Sequence, residues 1–273
     1  KKTFLAKGIE YAGELALLNC RDLFEILKWN LKNDIKFFRL SSDIFPWASE
    51  YNIEDLPQYG RIKTILNGCG NYAKKNGIRL TSHPGPFNVL VSPREHVVKN
   101  TITDLTNHGK VFDLLGLDRT PYNKINIHCN GVYGDKQSAM DRFCKNFERL
   151  PESVQTRLTI ENDDKASMYS VKDLIYIHER IGIPIVFDYH HHKFCTGDLS
   201  EEEALKLATS TWGEIKPVVH YSESKSLHEN NDLLRPQAHS DYINEIPNTY
   251  GLDLDVMVEA KAKELSILPF INL

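Results

Sequence analysis

The sequence of 273 residues predicts an α/β fold built on a parallel sheet, and two observations carry this prediction. Short apolar runs alternate along the chain with amphipathic helical stretches, which is the pattern of consecutive βαβ units. Most of these runs are almost continuously apolar, as strands buried on both faces of a parallel sheet are. The alternation alone leaves two architectures open, a doubly wound sheet and a TIM-type barrel.

Seven segments have the composition of buried strands. In chain order they are Ile35–Leu40, Ile78–Ser82, Lys124–His128, Leu158–Glu161, Pro184–Asp188, Val218–Tyr221 and Asp255–Glu259. Six amphipathic segments predict helices, which are Asp22–Asn30, Ile62–Asn76, His96–Leu115, Lys136–Glu148, Val171–Ile181 and Glu201–Thr209. A closed barrel needs eight strands, so the count predicts a first strand that would precede Lys1. We expect one domain over residues 1–273.

The composition excludes several classes of protein. Hydrophobic residues make up 41% and charged residues 26%, which suits a globular core. No apolar run is long enough to span a membrane, and no signal peptide opens the chain. The five scattered cysteines form no CxxC pair, so we expect an intracellular protein, cytoplasmic or nuclear and not secreted. No GxGxxG or GxxxxGK[ST] motif is present, which argues against a nucleotide cofactor.

The most informative feature is the residue type at the end of each strand. From the second strand onward, six successive strands end on, or run directly into, an imidazole or a carboxylate. These residues are His83, His128, Glu161, Asp188, His220 and Glu259, and a run of histidines follows Asp188 at positions 190–192. In parallel α/β folds the carboxyl ends of the strands form the active site, so we expect these side chains to meet.

Imidazole and carboxylate without thiolate suit Zn²⁺, Mn²⁺ or Fe²⁺. One histidine at a strand end is usually an ordinary polar residue, but six such ends in succession favour metal binding. The number of ligands exceeds what one ion needs, so the pattern predicts two or three ions, with a carboxylate bridging them, which is an arrangement that cleaves phosphodiesters. A net charge of −4 is compatible with DNA only if a local basic face or bound ions supply positive charge. Histidines outside this pattern are predicted to be surface residues (His96, His108, His178, His228), and His190 or His192 is expected to support the metal ligands from outside.

Around these residues the sequence resembles the UV-damage endonuclease family, a relative of endonuclease IV and of the xylose-isomerase-like barrels. Eight stretches match in family order. They are FFRLSSDIFPWAS (Phe37–Ser49), SHPGPF (Ser82–Phe87), IHCNGVYGDK (Ile127–Lys136), LTIENDD (Leu158–Asp164), PIVFDYHHH (Pro184–His192), HYSES (His220–Ser224), AHSDYI (Ala238–Ile243) and DVMVEAKAKE (Asp255–Glu264). The order of the eight stretches makes the resemblance more specific than any one motif.

The resemblance implies a TIM barrel with three divalent ions, usually manganese, with zinc or magnesium as further possibilities. By matched motif, the first ion is held by His83, His128 and Glu161; the second by Glu161, Asp188, His220 and Glu259; the third by His191 and His239. Among these, Glu161, Glu259 and His220 are the expected catalytic residues. The implied reaction is hydrolysis of the phosphodiester immediately 5′ of a cyclobutane dimer or 6-4 photoproduct in double-stranded DNA.

The resemblance also implies residues that contact DNA, and here the sequence departs from the family. The family usually has Gln followed by Tyr or Phe after HPG, whereas this chain has Pro86 and Phe87. Phe87 can still insert between bases, but Pro86 cannot form the hydrogen bonds of glutamine. Val218 stands where the family commonly has a lysine near the metals. Lys136, Lys261 and Lys263 lie in matched motifs and are candidates for phosphate contacts.

Three other functions remain open at this point. An endonuclease IV-like enzyme acting at abasic sites would share the metal chemistry and differ in the SHPGPF loop. A sugar isomerase or epimerase would typically need fewer ligands. A barrel that binds damaged DNA without cutting it would not be expected to keep buried carboxylates such as Asp188, which are costly without a cation. A nuclease of this type needs no partner chain to assemble its site, so we expect a monomer.

Overall fold

The computed structural model describes residues 1–271, and these contain all seven strands predicted from the sequence. They are β1 (Phe37–Leu40), β2 (Arg79–Ser82), β3 (Ile125–His128), β4 (Leu158–Glu161), β5 (Ile185–Asp188), β6 (Val218–Tyr221) and β7 (Asp255–Val258). Every residue of β2, β4, β5 and β6 is buried, whereas β7 is half-buried along its length. Continuous burial is typical of the strands of a parallel sheet that is covered on both faces.

The order of the strands distinguishes between the two architectures left open above. All seven belong to one sheet in chain order, from β1 to β7. The pairings of β1 with β2, β2 with β3, β4 with β5, β5 with β6 and β6 with β7 are parallel. A doubly wound sheet reverses its strand order at a switch point, and this sheet does not. The order is that of a TIM-type barrel. The eighth strand expected before Lys1 stays a prediction.

Helices separate the strands. Within residues 1–271 they are α1 (Lys2–Lys32), α2 (Tyr59–Lys75), α3 (Glu95–Leu114), α4 (Lys136–Phe147), α5 (Glu152–Gln155), α6 (Val171–Ile181), α7 (Tyr189–His192), α8 (Glu201–Ser210), α9 (Lys225–His228) and α10 (Glu264–Ile267). Short 3-10 helices occupy Ala48–Glu50, Ile53–Asp55, Pro121–Asn123 and Leu268–Phe270. No helix in this part of the chain combines the length and the apolar character of a membrane span.

Local sequence signals set several helix ends. A capping box opens α6, where the Ser170 hydroxyl accepts from the backbone N–H of Asp173 and the Asp173 carboxylate accepts from that of Ser170. Gly182 ends α6 with a φ of 72°, a left-handed conformation that glycine adopts at low cost. The predicted start of α1 at Asp22 is wrong, because the helix begins at Lys2 and is interrupted only at Gly8. Small residues on its buried face, such as Ala12 and Ala16, weakened the hydrophobic pattern there.

Contacts divide the chain into two compact units, and the division falls within β3 and β4. The first unit comprises Lys1–Asn88, Arg94–Asn126 and Phe147–Leu158. In its core the α2 and α3 segments meet so closely that a Cβ on Gly70 would lie 1.7 Å from the backbone oxygen of Leu115. The second unit comprises residues 89–93, 127–146 and the chain from Thr159 onward, and it holds the carboxyl ends of β3 to β7.

Candidate metal centre

Three carboxylates lie at the carboxyl ends of strands in the second unit. Glu161 ends β4, Asp188 ends β5 and Glu259 directly follows β7. The side chains of Glu161 and Asp188 are fully buried. An ionised carboxylate is costly to bury without a cation or several hydrogen bonds, so these positions need positive charge nearby.

Imidazoles surround Glu161. The Nδ1 atom of His220 lies 3.1 Å from one Glu161 oxygen and 3.3 Å from Oε1 of Glu259. His191 Nδ1 is 3.5 Å from the other Glu161 oxygen, and His128 Nε2 is 3.9 Å from Oε2. Glu161 therefore lies among three histidines that come from β3, from α7 after β5, and from β6, which is the position a bridging carboxylate would take.

The ligand atoms form two sets within this unit. One set contains His128, Glu161 and His191, and the other contains Asp188, His220 and Glu259; in each, the atoms lie within 4.8 Å of one another. Buried Asp188 Oδ2 has no hydrogen-bond partner among residues 1–271. A buried carboxylate oxygen without a hydrogen-bond partner, in the middle of these ligand sets, is suited to bind a divalent cation. Imidazole and carboxylate groups are also the ligand types that such ions prefer.

His239 joins this cluster by a different route. It lies in the segment between α9 and β7 and is held there by an isolated antiparallel bridge to Ser224. Its Nδ1 is 3.0 Å from the backbone oxygen of Glu259 and 3.9 Å from the Glu259 carboxylate. Its ring centroid is 6.2 Å from that of His191. The structure thus brings together the two histidines that the family motifs assign to the third ion.

Two of the candidate ligands, Asp188 and His128, have pKa values above their ordinary values. Burial, reinforced by the carboxylates of Glu161 and Glu259, raises the pKa of Asp188 to about 7. Burial lowers the pKa of His128, but the neighbouring carboxylates, above all Glu161, outweigh it and raise the pKa to about 10. The Glu161 carboxylate contributes to both shifts, although burial is the larger cause for Asp188 and opposes the shift of His128. A divalent ion would compete with these protons.

His83 and the SHPGPF loop belong to the first unit. His83 directly follows β2, is half-buried, and has its Nδ1 3.2 Å from the backbone oxygen of Pro84. The buried Asn88 fixes the end of the loop by donating to the backbone oxygen of Gly85 at 3.0 Å and to Asp104 at 2.8 Å. The Phe87 side chain beside it is 88% exposed. An anchored loop that presents a bare aromatic ring is suited to contact with a base.

The other residues expected to contact DNA differ in their surroundings. Pro86 is exposed next to Phe87, and Lys261 and Lys263 are exposed after β7. Lys136 is partly buried, and its Nζ lies 3.0 Å from Asp173 Oδ2, so a phosphate would have to compete with this ion pair. Their roles stay predictions.

One prediction about the remaining histidines is wrong. His108 is buried and not a surface residue, because it lies on the face of α3 that also buries Leu105 and Phe112. Burial lowers its pKa. His96 and His228 are exposed and His178 is half-buried. His190 and His192 are both buried beside His191.

Two residues that contact the ligands received no role from the sequence. The Asn162 side chain accepts from the backbone N–H of Asp188 at 2.8 Å, and its backbone oxygen lies 2.9 Å from His191 Nδ1. Asp163 Oδ1 lies 3.3 Å from His128 Nδ1. Both directly follow Glu161 in the stretch LTIENDD, and that adjacency is the signal that could have identified them.

Comparisons with known proteins bear on this arrangement. The profile of the UV-endonuclease UvdE family matches residues 5–273. The UV DNA damage endonuclease of Bacillus cereus (strain Q1) is 34% identical over 264 residues, covering 93% of this chain and 80% of the relative. The crystal structure of SacUVDE superposes with a TM-score of 0.84 at 35% identity, over 95% of this chain and 86% of that one. The D-psicose 3-epimerase of Clostridium cellulolyticum H10, at 16% identity and a TM-score of 0.53, covers 74% of this chain and 68% of its own, and shows the fold alone.

Proposed function

Because the chain belongs to the UV-endonuclease family, we propose that it is a metal-dependent DNA repair endonuclease that cuts damaged double-stranded DNA inside the cell. The cut is expected at the phosphodiester immediately 5′ of a cyclobutane dimer or 6-4 photoproduct. The observation that carries this proposal is the pair of ligand sets linked through Glu161, with His220 Nδ1 3.1 Å from its carboxylate.

The ligands divide among three ions in this proposal. His128 and Glu161, with His83 by family motif, would hold the first ion; Glu161, Asp188, His220 and Glu259 the second; His191 and His239 the third. Manganese is the proposed ion, although Zn²⁺ and Mg²⁺ have overlapping ligand preferences. When bound, such ions neutralise the scissile phosphate, activate a water and stabilise the departing oxygen. Positive charge from the ions would let a chain of net charge −4 hold DNA here.

The side chains of the chain itself supply geometry. The Asn162 amide donates to the backbone oxygen of Asp188 at 3.1 Å and accepts from its N–H at 2.8 Å, which fixes the ends of β4 and β5 to one another. The backbone N–H of His191 donates to Asp188 Oδ1 at 2.8 Å, so one carboxylate oxygen is held while Oδ2 remains for an ion. These contacts set the ligand positions in advance, which lowers the cost of binding.

Recognition of the lesion is assigned to the SHPGPF loop. In the proposal Phe87 stacks on or inserts between bases beside the photoproduct, and Pro86 stiffens the loop without forming the hydrogen bonds that a glutamine would supply. Lys136 and Lys261 are the proposed phosphate contacts. Buried Val218 occupies the site at which the family commonly has lysine, so the metals would be held here without a ligand from that position.

The proposal is tested by incision of duplex oligonucleotides that carry one 6-4 photoproduct, one cyclobutane dimer, one abasic site or no lesion, with Mn²⁺ or with EDTA. A nick just 5′ of the photoproducts, present with Mn²⁺ and absent with EDTA, is expected. Cutting at the abasic site alone would move the protein to an endonuclease IV-like function. Bound metal without any cutting would favour a sugar substrate or a binding-only protein.

Two substitutions separate the metal site from the lesion contact. Glu161→Gln should lower incision roughly a thousandfold, because it removes the bridging charge and with it several kcal/mol of charge stabilisation. Glu179→Gln, an exposed position on α6, is its control. Phe87→Ala should lower incision roughly tenfold by loss of stacking while metal content stays unchanged. Leu5→Ala, at a position 72% exposed, controls for the loss of a surface apolar group.

A further inference from the structure

His128 faces carboxylates with both of its ring nitrogens. Its Nε2 lies 3.9 Å from Glu161 Oε2, on the side of the ligand set, and its Nδ1 lies 3.3 Å from Asp163 Oδ1 on the other side. A neutral imidazole carries its single proton on one nitrogen only. A carboxylate beside Nδ1 favours the proton there and leaves the lone pair on Nε2, where a metal would bind.

Asp163 is held firmly enough to orient a ring. Its side chain is buried, its backbone N–H donates to the backbone oxygen of Tyr169 at 2.9 Å, and Oδ2 lies 3.4 Å from the N–H of Tyr169. The Tyr169 hydroxyl in turn donates to the backbone oxygen of Gly131, three residues after His128. Two separate segments are therefore tied together around the His128–Asp163 contact, so Oδ1 keeps its position toward Nδ1.

Comparison with the other histidines of the cluster shows what is particular to Asp163. For His191 and His239 the oxygen nearest to Nδ1 is a backbone oxygen, that of Asn162 at 2.9 Å and that of Glu259 at 3.0 Å, and a carboxylate oxygen lies farther away, at 3.5 and 3.9 Å. The nearest acceptor to Nδ1 is thus neutral for these two histidines, whereas Nδ1 of His128 faces the Asp163 carboxylate at 3.3 Å. A carboxylate acceptor makes the metal-facing nitrogen more basic than a carbonyl does.

We propose that Asp163 is a positioning residue of the metal centre, which accepts the Nδ1–H of His128 and so holds the tautomer whose Nε2 binds an ion. The proposal rests on the metal-dependent function proposed above. It assigns three consecutive residues to three tasks: Glu161 bridges the ions, the Asn162 backbone oxygen orients His191, and Asp163 orients His128. The competing explanation is a structural ion pair that stabilises the loop and has no effect on the metal.

The test measures metal affinity and tautomer, not only activity. Equilibrium Mn²⁺ binding is compared in the wild-type chain, Asp163→Ala and Asp163→Asn, with Asp164→Ala, the half-buried neighbour, as control. We expect Asp163→Ala to weaken binding about 10–100-fold, the usual effect of losing such a support. The Mn²⁺ affinity of Asp163→Asn should lie between those of the wild-type chain and Asp163→Ala, because its amide oxygen still accepts the N–H but carries no charge. The control should bind like wild type.

A second readout is the ¹⁵N spectrum of His128 in the Zn²⁺-loaded wild-type chain, where a proton on Nδ1 and a metal-shifted Nε2 are expected. A proton on Nε2 would overturn the proposal even if Asp163→Ala failed to fold. Equal Mn²⁺ affinity in wild type and Asp163→Ala would overturn it as well, and would leave the proposed function intact. If the wild-type chain bound neither Mn²⁺ nor Zn²⁺, the proposed function itself would fail.

Discussion

In the first unit Arg157 and Arg119 contact the same carboxylate, that of Asp113. Because one arginine is buried and the other is exposed, the pair allows a prediction of how burial affects the contribution of an ion pair to stability. Arg157 is fully buried and its guanidinium donates to Asp113 at 2.9 Å. It also donates to the backbone oxygens of Leu117 at 2.6 Å, Ser153 at 2.9 Å and Asp118 at 3.0 Å. Arg157→Met would keep much of the side-chain volume and remove all four hydrogen bonds.

The expected cost follows from what the substitution leaves behind. Asp113 is about one-third exposed and keeps its contact with Arg119 at 2.8 Å, so it stays partly hydrated and paired. The backbone oxygens of Leu117 and Ser153 are worse placed, because each loses the donor of a buried hydrogen bond, whereas Asp118 is an exposed residue. A buried acceptor without a partner costs about 1–3 kcal/mol. For two such acceptors we expect Arg157→Met to lower the free energy of unfolding by about 2–6 kcal/mol.

Arg119→Met is the matched control, since it removes the other guanidinium from Asp113. Arg119 bridges Asp113 and Glu152 at the surface, where water replaces the lost contacts. Urea unfolding should show a large drop in midpoint with an unchanged slope for Arg157→Met, and almost no change for Arg119→Met. Equal midpoints in the two variants would refute the reasoning, because burial would then have no bearing on the pair.

Two further predictions concern buried titratable groups. Burial raises the pKa of both Cys20 and Cys69 to about 12. Iodoacetamide at pH 8 should therefore label the half-buried Cys144 first and should label Cys20 and Cys69 only after unfolding. Rapid labelling of Cys20 and Cys69 in the native chain would contradict this. Burial, with the nearby His239, lowers the pKa of His190 to about 4. The unfolded chain takes up this proton near pH 6.5 and the folded chain only near 4, so His190 contributes up to about 3 kcal/mol of stability that is lost as pH falls between them. In EDTA, His190→Gln should flatten the unfolding curve against pH in this window, and an unchanged curve would count against the shift.

The sequence predicted the strands well because buried parallel strands have a simple composition. Each of the seven runs became a strand with ends shifted by two residues at most. The first helix was predicted poorly because Gly8 and the small buried residues Ala12 and Ala16 reduce the hydrophobic contrast on which the prediction depends. Here close packing of helices, which sequence periodicity does not reveal, determines the structure.

For the site, the sequence identified ligands whose position follows from the strands. Glu161 and Asp188 end strands, so they are predictable once the sheet is parallel. His239 is placed by the bridge to Ser224 in an irregular segment, and only the family motif pointed to it. Asp163 lies within the LTIENDD stretch, but the sequence does not indicate its role, because that role depends on which way the ring of His128 faces.

The contacts around Glu161 explain why the candidate metal ligands are expected to depend on one another. Its carboxylate lies within 4 Å of ring nitrogens of His128, His191 and His220, and His220 in turn is 3.3 Å from Glu259. Each buried group has the others as its main source of compensating charge, so removing one leaves a cost on its neighbours. Effects of single substitutions should therefore not add: groups in one network typically couple by 0.5–3 kcal/mol. Since strand geometry fixes Glu161 and the next two residues orient two of these histidines, the segment after β4 is where the fold and the chemistry of this protein depend on each other most directly.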